Sequence, residues 1–198
     1  MTEGPVPQIH PGFPEDQRAV AAALYWQAFE TKLGPVLGPA PRGQAFLVDI
    51  LDPRFAISAL HDGRLLGIAG FKTADGALTG GGWPEIARHY GTFGAAWRAA
   101  LLSLIERDVE AGILLMDGIC VAPAARGLGL GTQLLRAVRS EAGRRGLGRV
   151  RLDVIDGNPR ARALYLREGF VPVGTRRMGP LGAIFGFRHA ERMEAPAT

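Results

Sequence analysis

The stretch Asp117–Thr132, DGICVAPAARGLGLGT, decides how this chain is read. A nearly continuous apolar run, Ile113–Val121, leads into it, as a strand buried on both faces would. Behind it, Leu134, Leu135, Val138 and Ala142 share one helical face, with Arg136, Arg139 and Arg145 elsewhere. The order is therefore strand, glycine loop, helix. Alternating glycines at Gly127, Gly129 and Gly131 let the backbone come close to a ligand. The free N–H groups and dipole of a helix start make an anion site, and Arg126 adds a fixed positive charge. The chemistry implied is pyrophosphate binding.

Two other phosphate loops fail on spacing. A Walker loop needs Gly-Lys before Ser or Thr, and Gly131-Thr132 has no lysine. The dinucleotide fingerprint is G-x-G-x-x-G near the start of a domain, whereas this loop is G-x-G-x-G and lies past the midpoint. What fits is R/Q-x-x-G-x-G/A, filled by Arg126, Gly129 and Gly131. A second segment, Asn158-Pro-Arg-Ala161-Arg-Ala-Leu164-Tyr165-Leu-Arg-Glu-Gly169-Phe170, fills N-x-x-A-x-x-L-Y-x-x-x-G-F at every specified position. Together and in this order, the two motifs resemble the GNAT superfamily of acetyl-CoA-dependent N-acetyltransferases. The resemblance is clear from Ile113 to Gly174 and looser before it.

That resemblance implies a mixed α/β fold, with a central sheet of about six or seven strands flanked by helices and a splayed central strand. It implies that Arg126, Gly127, Leu128, Gly129, Leu130, Gly131 and Thr132 hold the coenzyme A pyrophosphate. The splay near Ile119–Val121 would free backbone groups of Ile119 and Val121, with Cys120 between them, for pantetheine and thioester. Asn158 would contact the coenzyme as well as cap its helix, a role its place before Pro159 suits in any case. Tyr165, two turns on and on the same face, would protonate the departing thiolate; a phenol with a reference pKa of about 10 is a competent acid at neutral pH. The reaction implied is direct attack of a primary amine on acetyl-CoA through a tetrahedral intermediate. The rival is a catalytically inactive acyl-CoA-binding sensor or regulatory module.

The amine must lose a proton. Asp117, just before the cofactor segment, is the local candidate, and pairing with an arginine is its structural alternative. Glu30 is a weaker candidate, and His61 belongs to a turn. An acyl-cysteine route through Cys120 is considered and set behind direct transfer, because a lone cysteine in a buried strand is more often plain core. Tyr25, Trp26, Phe29 and Trp83 are candidates for an apolar acceptor pocket, with core packing as the alternative for at least half of them. No metal site is assigned.

The rest of the chain gives the frame. Its 198 residues, 47% hydrophobic and 21% charged, suit one domain spanning 1–198. One cysteine excludes an internal disulfide, and the proline-rich, acid-containing N-terminus is no signal peptide. No apolar run is long enough to span a bilayer. A cytoplasmic protein with no membrane partner is expected. Net charge is +4, yet the arginines lack the interleaved aromatics of a single-strand binder, so no nucleic-acid partner is expected. The partner is instead a small-molecule or peptide amine, and a homodimer is left open.

Along the chain, a short edge strand at Val6–His10 precedes a helix that begins near Pro14 and is stopped by Gly34-Pro35. A second helix covers Gln44–Leu51. Phe55–Leu60 and Leu65–Phe71 flank a hairpin turn, and Thr73–Gly82 reads as a mobile loop. A helical insertion at about 83–111 should break into two helices at Gly91 and Gly94. Val150–Ile155, Phe170–Thr175 and Ile184–His189 complete the strands, with a helix at Pro159–Glu168.

Overall fold

A computed structural model describes residues 6–198. The chain opens with β1 (Gln8–Pro11), then α1 (Arg18–Leu37) and α2 (Ala40–Ile50). A hairpin of β2 (Ala56–His61) and β3 (Arg64–Thr73) follows, turning at Asp62 and Gly63, whose positive φ angles of 48° and 73° match strand twist. Next come β4 (Gly76–Ala77), α3 (Trp83–Ile105), β5 (Ile113–Val121), α4 (Leu130–Arg144) and β6 (Arg149–Ile155). The chain ends with α5 (Pro159–Arg167), β7 (Val171–Arg177), α6 (Gly182–Phe185) and β8 (His189–Pro196).

Seven strands form one path, β1-β2-β3-β5-β6-β8-β7, and β4 pairs beside β3. Among the described residues every pairing is antiparallel except β5 with β6, which α4 connects. A Cβ on Gly67 would meet Leu134 of α4, and one on Gly118 would meet Phe29 of α1. Gly118 pairs with Gly70, three residues from Gly67, so strand alternation puts α4 and α1 on opposite faces. The mixed α/β sheet flanked by helices is the architecture the sequence implied.

Several boundaries differ. α1 runs past Pro35 to Leu37, because Val36 and Leu37 are buried and a proline so near the end costs one helix hydrogen bond. α2 starts at Ala40, four residues early, and the edge strand starts at Gln8. Thr73–Gly82 is tied down rather than a free loop: β4 folds back on β3, Leu78 is fully buried, and Thr79 bridges to Leu51. Gly91 kinks α3 with φ 70° and ψ 167°, whereas Gly94 stays helical. Ile184–His189 is not a strand. Phe185 and Phe187 turn inward around a single helical turn, and the strand is β8, whose buried Ala190, Met193 and Ala195 lie among charged residues that obscure its alternation.

Candidate active site

The site begins with an irregularity in β5. Gly70 pairs with Gly118 and Phe71 with Met116, so Asp117 is the extra residue of a bulge. The parallel pairing of β5 with β6 ends at Leu115 and Arg151, and beyond it the two strands part. The Ala122 N–H donates to the Leu66 carbonyl, so by alternation Cys120 and Gly118 also bond to β3. The backbone groups of Ile119 and Val121 therefore face the opening. Gly118 is needed here: a Cβ would lie 2.3 Å from the Phe29 ring.

A cavity of about 920 Å³ enters this split. Ile119, Cys120, Val121, Arg126, Gly127, Gly129, Leu130, Gly131, Thr132, Asn158 and Tyr165 all line it. Leu128 does not, being 60% exposed on the outer side of the loop. Gly127 and Gly129 have φ of 86° and 75°, and nothing lies within 4 Å of where a Cβ would be. Gly129 is the N-cap of α4 and has no side chain to occupy the first N–H groups of the helix. These groups and Arg126 sit at one end of the cavity wall, with Arg160 and Arg167 also lining it. Asn158 Oδ1 accepts from the Ala161 N–H at 3.1 Å, the expected cap.

Tyr165 is buried. Desolvation, with a smaller contribution from Cys120 and partial opposition from Arg107, pushes its pKa up to about 12. Its phenol therefore keeps its proton at neutral pH. Burial alone pushes the Cys120 thiol up to about 12, which withholds the thiolate that nucleophilic catalysis requires.

At the other end lies a charged cluster. Arg107 Nη2 donates to Asp117 Oδ1 at 3.0 Å, and its Nη1 stands 3.5 Å from Asp153 Oδ2. Asp117 Oδ2 is buried and has no hydrogen-bond partner. Burial raises the Asp117 pKa, and Arg107 foremost, then Lys32 and Lys72, hold it down in part. Lys32 is pushed down to about 8, first by burial and then by Arg107.

A second cavity of about 340 Å³ adjoins this cluster. Phe29, Lys32, Ile105, Arg107 and Asp117 border both cavities. Tyr25 and Trp83 line the second, and the Tyr25 and Phe29 rings stand 4.6 Å apart. Trp26 lines neither; it packs against Gly43 in the core. Glu30 is exposed and lines neither, and His61 ends β2 at the hairpin. α3 walls the second cavity through Ile86, Ala99 and Leu102.

Sequence reasoning assigned no role to Lys32, Arg107 or Asp153. Lys32 had a signal, because Tyr25, Phe29 and Lys32 fall at i, i+4 and i+7, which puts a lysine on the inward stripe of α1. Arg107 follows α3 outside any motif, and only the fold brings it to Asp117.

A sheet that splays at its parallel pair, with a glycine loop and a helix N-terminus at the mouth, defines the acetyltransferase fold class. The model of the Acetyltransferase (GNAT) family matches residues 18–170. The chain belongs to that family. Among solved structures it is similar to a crystal structure described as an acetyltransferase, at 19% identity and a TM-score of 0.65, covering 96% of this chain and 100% of that one. It is similar to a GCN5-related N-acetyltransferase from Kribbella flavida, at 17% identity and a TM-score of 0.63, covering 96% and 97%. It is also similar to the ribosomal-protein-alanine N-acetyltransferase of Brucella melitensis, at 19% identity and a TM-score of 0.59, covering 96% and 99%. At these identities the likeness is one of fold. No helix among the described residues is long and apolar enough to cross a membrane.

Proposed function

We propose that this chain transfers an acetyl group from acetyl-CoA directly to a primary amine. The observation that carries the reading is that the glycine-loop cavity and the second cavity meet at Asp117, whose Oδ2 is unpartnered, while Tyr165 lines the first. The residues fit the coenzyme: the open, positive-φ glycines and side-chain-free start of α4 suit a pyrophosphate, with Arg126 as a charge partner. The outward backbone groups of Ile119 and Val121 suit the amides of a pantetheine arm. When bound, acetyl-CoA supplies the acyl group as a thioester.

The protein's own residues would then divide the proton work. Asp117, its pKa raised by burial, takes a proton from the incoming ammonium through Oδ2, while Arg107 holds Oδ1 in place. Tyr165 keeps a proton available for the leaving sulfur. Backbone N–H groups of the splayed strand offer donors for developing negative charge. The Cys120 thiol, held neutral, leaves direct transfer as the shorter route.

The test is calorimetry with acetyl-CoA, followed by thiol release across an amine panel. Binding at 1:1 is expected to weaken in Arg126→Ala and to be lost in Gly129→Glu. Tyr165→Phe is expected to lower kcat on the order of 100-fold, with a much smaller change in coenzyme affinity. Binding with no turnover of any amine would favour a non-catalytic acyl-CoA-binding module. Absence of binding would refute the reading.

A further inference from the structure

The proton work above leaves Lys32 without a task. It borders both cavities, on the inward face of α1. The other charges of the second cavity are matched: Lys72 Nζ stands 2.8 Å from Glu106 Oε1, and Arg107 Nη2 stands 3.0 Å from Asp117 Oδ1. With Asp153 and Arg176 of the first cavity included, Lys32, Lys72, Arg107 and Arg176 face Glu106, Asp117 and Asp153. Two of these cations, Lys32 and Arg176, have no carboxylate partner among the described residues; Arg176 is exposed and donates to the Leu104 carbonyl at 2.8 Å, which leaves Lys32. Among the described residues no carboxylate lies within ion-pair distance of Lys32. A half-buried ammonium with no carboxylate in direct contact is costly: burial and then Arg107 depress its pKa to about 8, with Asp117 and Asp153 opposing from farther off, and at that value it is still mostly charged at neutral pH.

The coenzyme does not supply the missing anion. Its phosphates belong at the glycine loop, and its pantetheine arm is uncharged. The second cavity does offer a place for an anionic molecule with an apolar body, because Leu33, Leu37, Phe46, Leu47, Ile86 and Leu102 line it. A polyamine would meet the cations Lys32, Lys72 and Arg107. The α-carbon of a protein N-terminus carries an amide where Lys32 asks for a carboxylate.

We propose that the acceptor is an apolar α-amino acid or close analogue, its carboxylate paired with Lys32, its amine at Asp117 and its side chain in the second cavity. The inference rests on the acetyl-transfer reading. The new bond joins the amine nitrogen to the acyl carbon, and the carbon–sulfur bond breaks. The ammonium gives up two protons: one leaves through Asp117 to solvent, and the other restores the proton that Tyr165 passes to the sulfur.

The test measures thiol release with acetyl-CoA and phenylalanine, leucine, methionine or tryptophan. Phenylalaninamide, phenylethylamine, spermidine and a short peptide serve as comparisons. The best amino acid is expected to exceed its decarboxylated or amidated analogue by about tenfold or more in kcat/KM, the worth of one charge-assisted contact. Lys32→Met should abolish that preference, mainly through KM, and Lys32→Arg should restore part of it. Equal or faster turnover of phenylethylamine, the amide, the peptide or spermidine would overturn the inference, as would a preference that survives in Lys32→Met. A Lys32-dependent gain with malonyl-CoA in place of acetyl-CoA would assign the anion to the acyl group and overturn it too. Calorimetry separates the two levels. Failure to bind acetyl-CoA sinks the transfer reading and this inference with it, whereas binding with turnover of amines lacking a carboxylate sinks the inference alone.

Discussion

Replacing Arg107 with methionine should destabilise the fold in a pH-dependent way. The guanidinium and the Asp117 carboxylate are 3.0 Å apart, with side chains only 16% and 12% exposed. Removing one partner of such a pair leaves a buried, unpaired charge and costs about 3–5 kcal/mol. Burial already raises the Asp117 pKa, and Arg107 is the largest influence opposing that rise. Without it the folded-state value climbs further above the unfolded one. A raised carboxyl pKa means that the fold loses stability as pH rises through the interval between the two values, and regains it as pH falls and the carboxyl takes up a proton. In Arg107→Met the loss should therefore be larger at about pH 8 than at about pH 5. Urea unfolding of the wild type, Arg107→Met, Asp117→Asn and the double variant at both pH values measures this. The double variant should recover part of the loss, with a coupling of about 1–3 kcal/mol. An equal loss at both pH values together with strict additivity would refute the argument.

Other consequences follow from packing and burial. A Cβ on Gly43 would lie 2.0 Å from the Trp26 ring, which is 3% exposed and has no room to shift. Gly43→Ala should lower stability by about 1–2 kcal/mol in denaturant titration, because overpacking outweighs the gain in helix propensity. Gly148→Ala, with nothing within 4 Å of its Cβ and no positive φ, is the matched control and should be close to neutral. Cys120, with its thiol pushed up to about 12, should react with iodoacetamide far more slowly in the native protein than in urea at neutral pH. Comparable rates, followed by mass spectrometry, would contradict its placement.

Some of the fold and site is local and some is not, and particular residues show the division. The glycine loop's geometry was legible because it is carried by consecutive residues: a strand, glycines with positive φ at Gly127 and Gly129, and a helix start at Leu130. Asn158 was legible for the same reason, since a cap and its Ala161 donor lie three residues apart. Leu128 was read as part of the site because it sits between two such glycines, but the turn points it outward. Ile184–His189 was misread because apolar residues at Ile184, Phe185 and Phe187 fit a buried strand as well as a turn packed on α1. Alternation in β8 is hidden by its charges.

The amino-acid sequence by itself determined the family motifs, the order of elements around them and the groups at the glycine-loop end of the cavity, because these rest on contacts within a few residues. Only the tertiary structure decided where the charge is spent. Arg107 meets Asp117 through a bulge in β5 and the path of the chain after α3, and Asp153 reaches the same cluster from β6 across the split. Lys32 has no carboxylate in direct contact because α1 lays it where the second cavity, walled by α2, α3 and the segment pinned by Leu78, meets the first, walled by β5, α4, β6 and α5. Spacing along a chain records neighbours on one helix or strand. It does not record which charges from different elements arrive together, and burial changes the behaviour of each of them once they do.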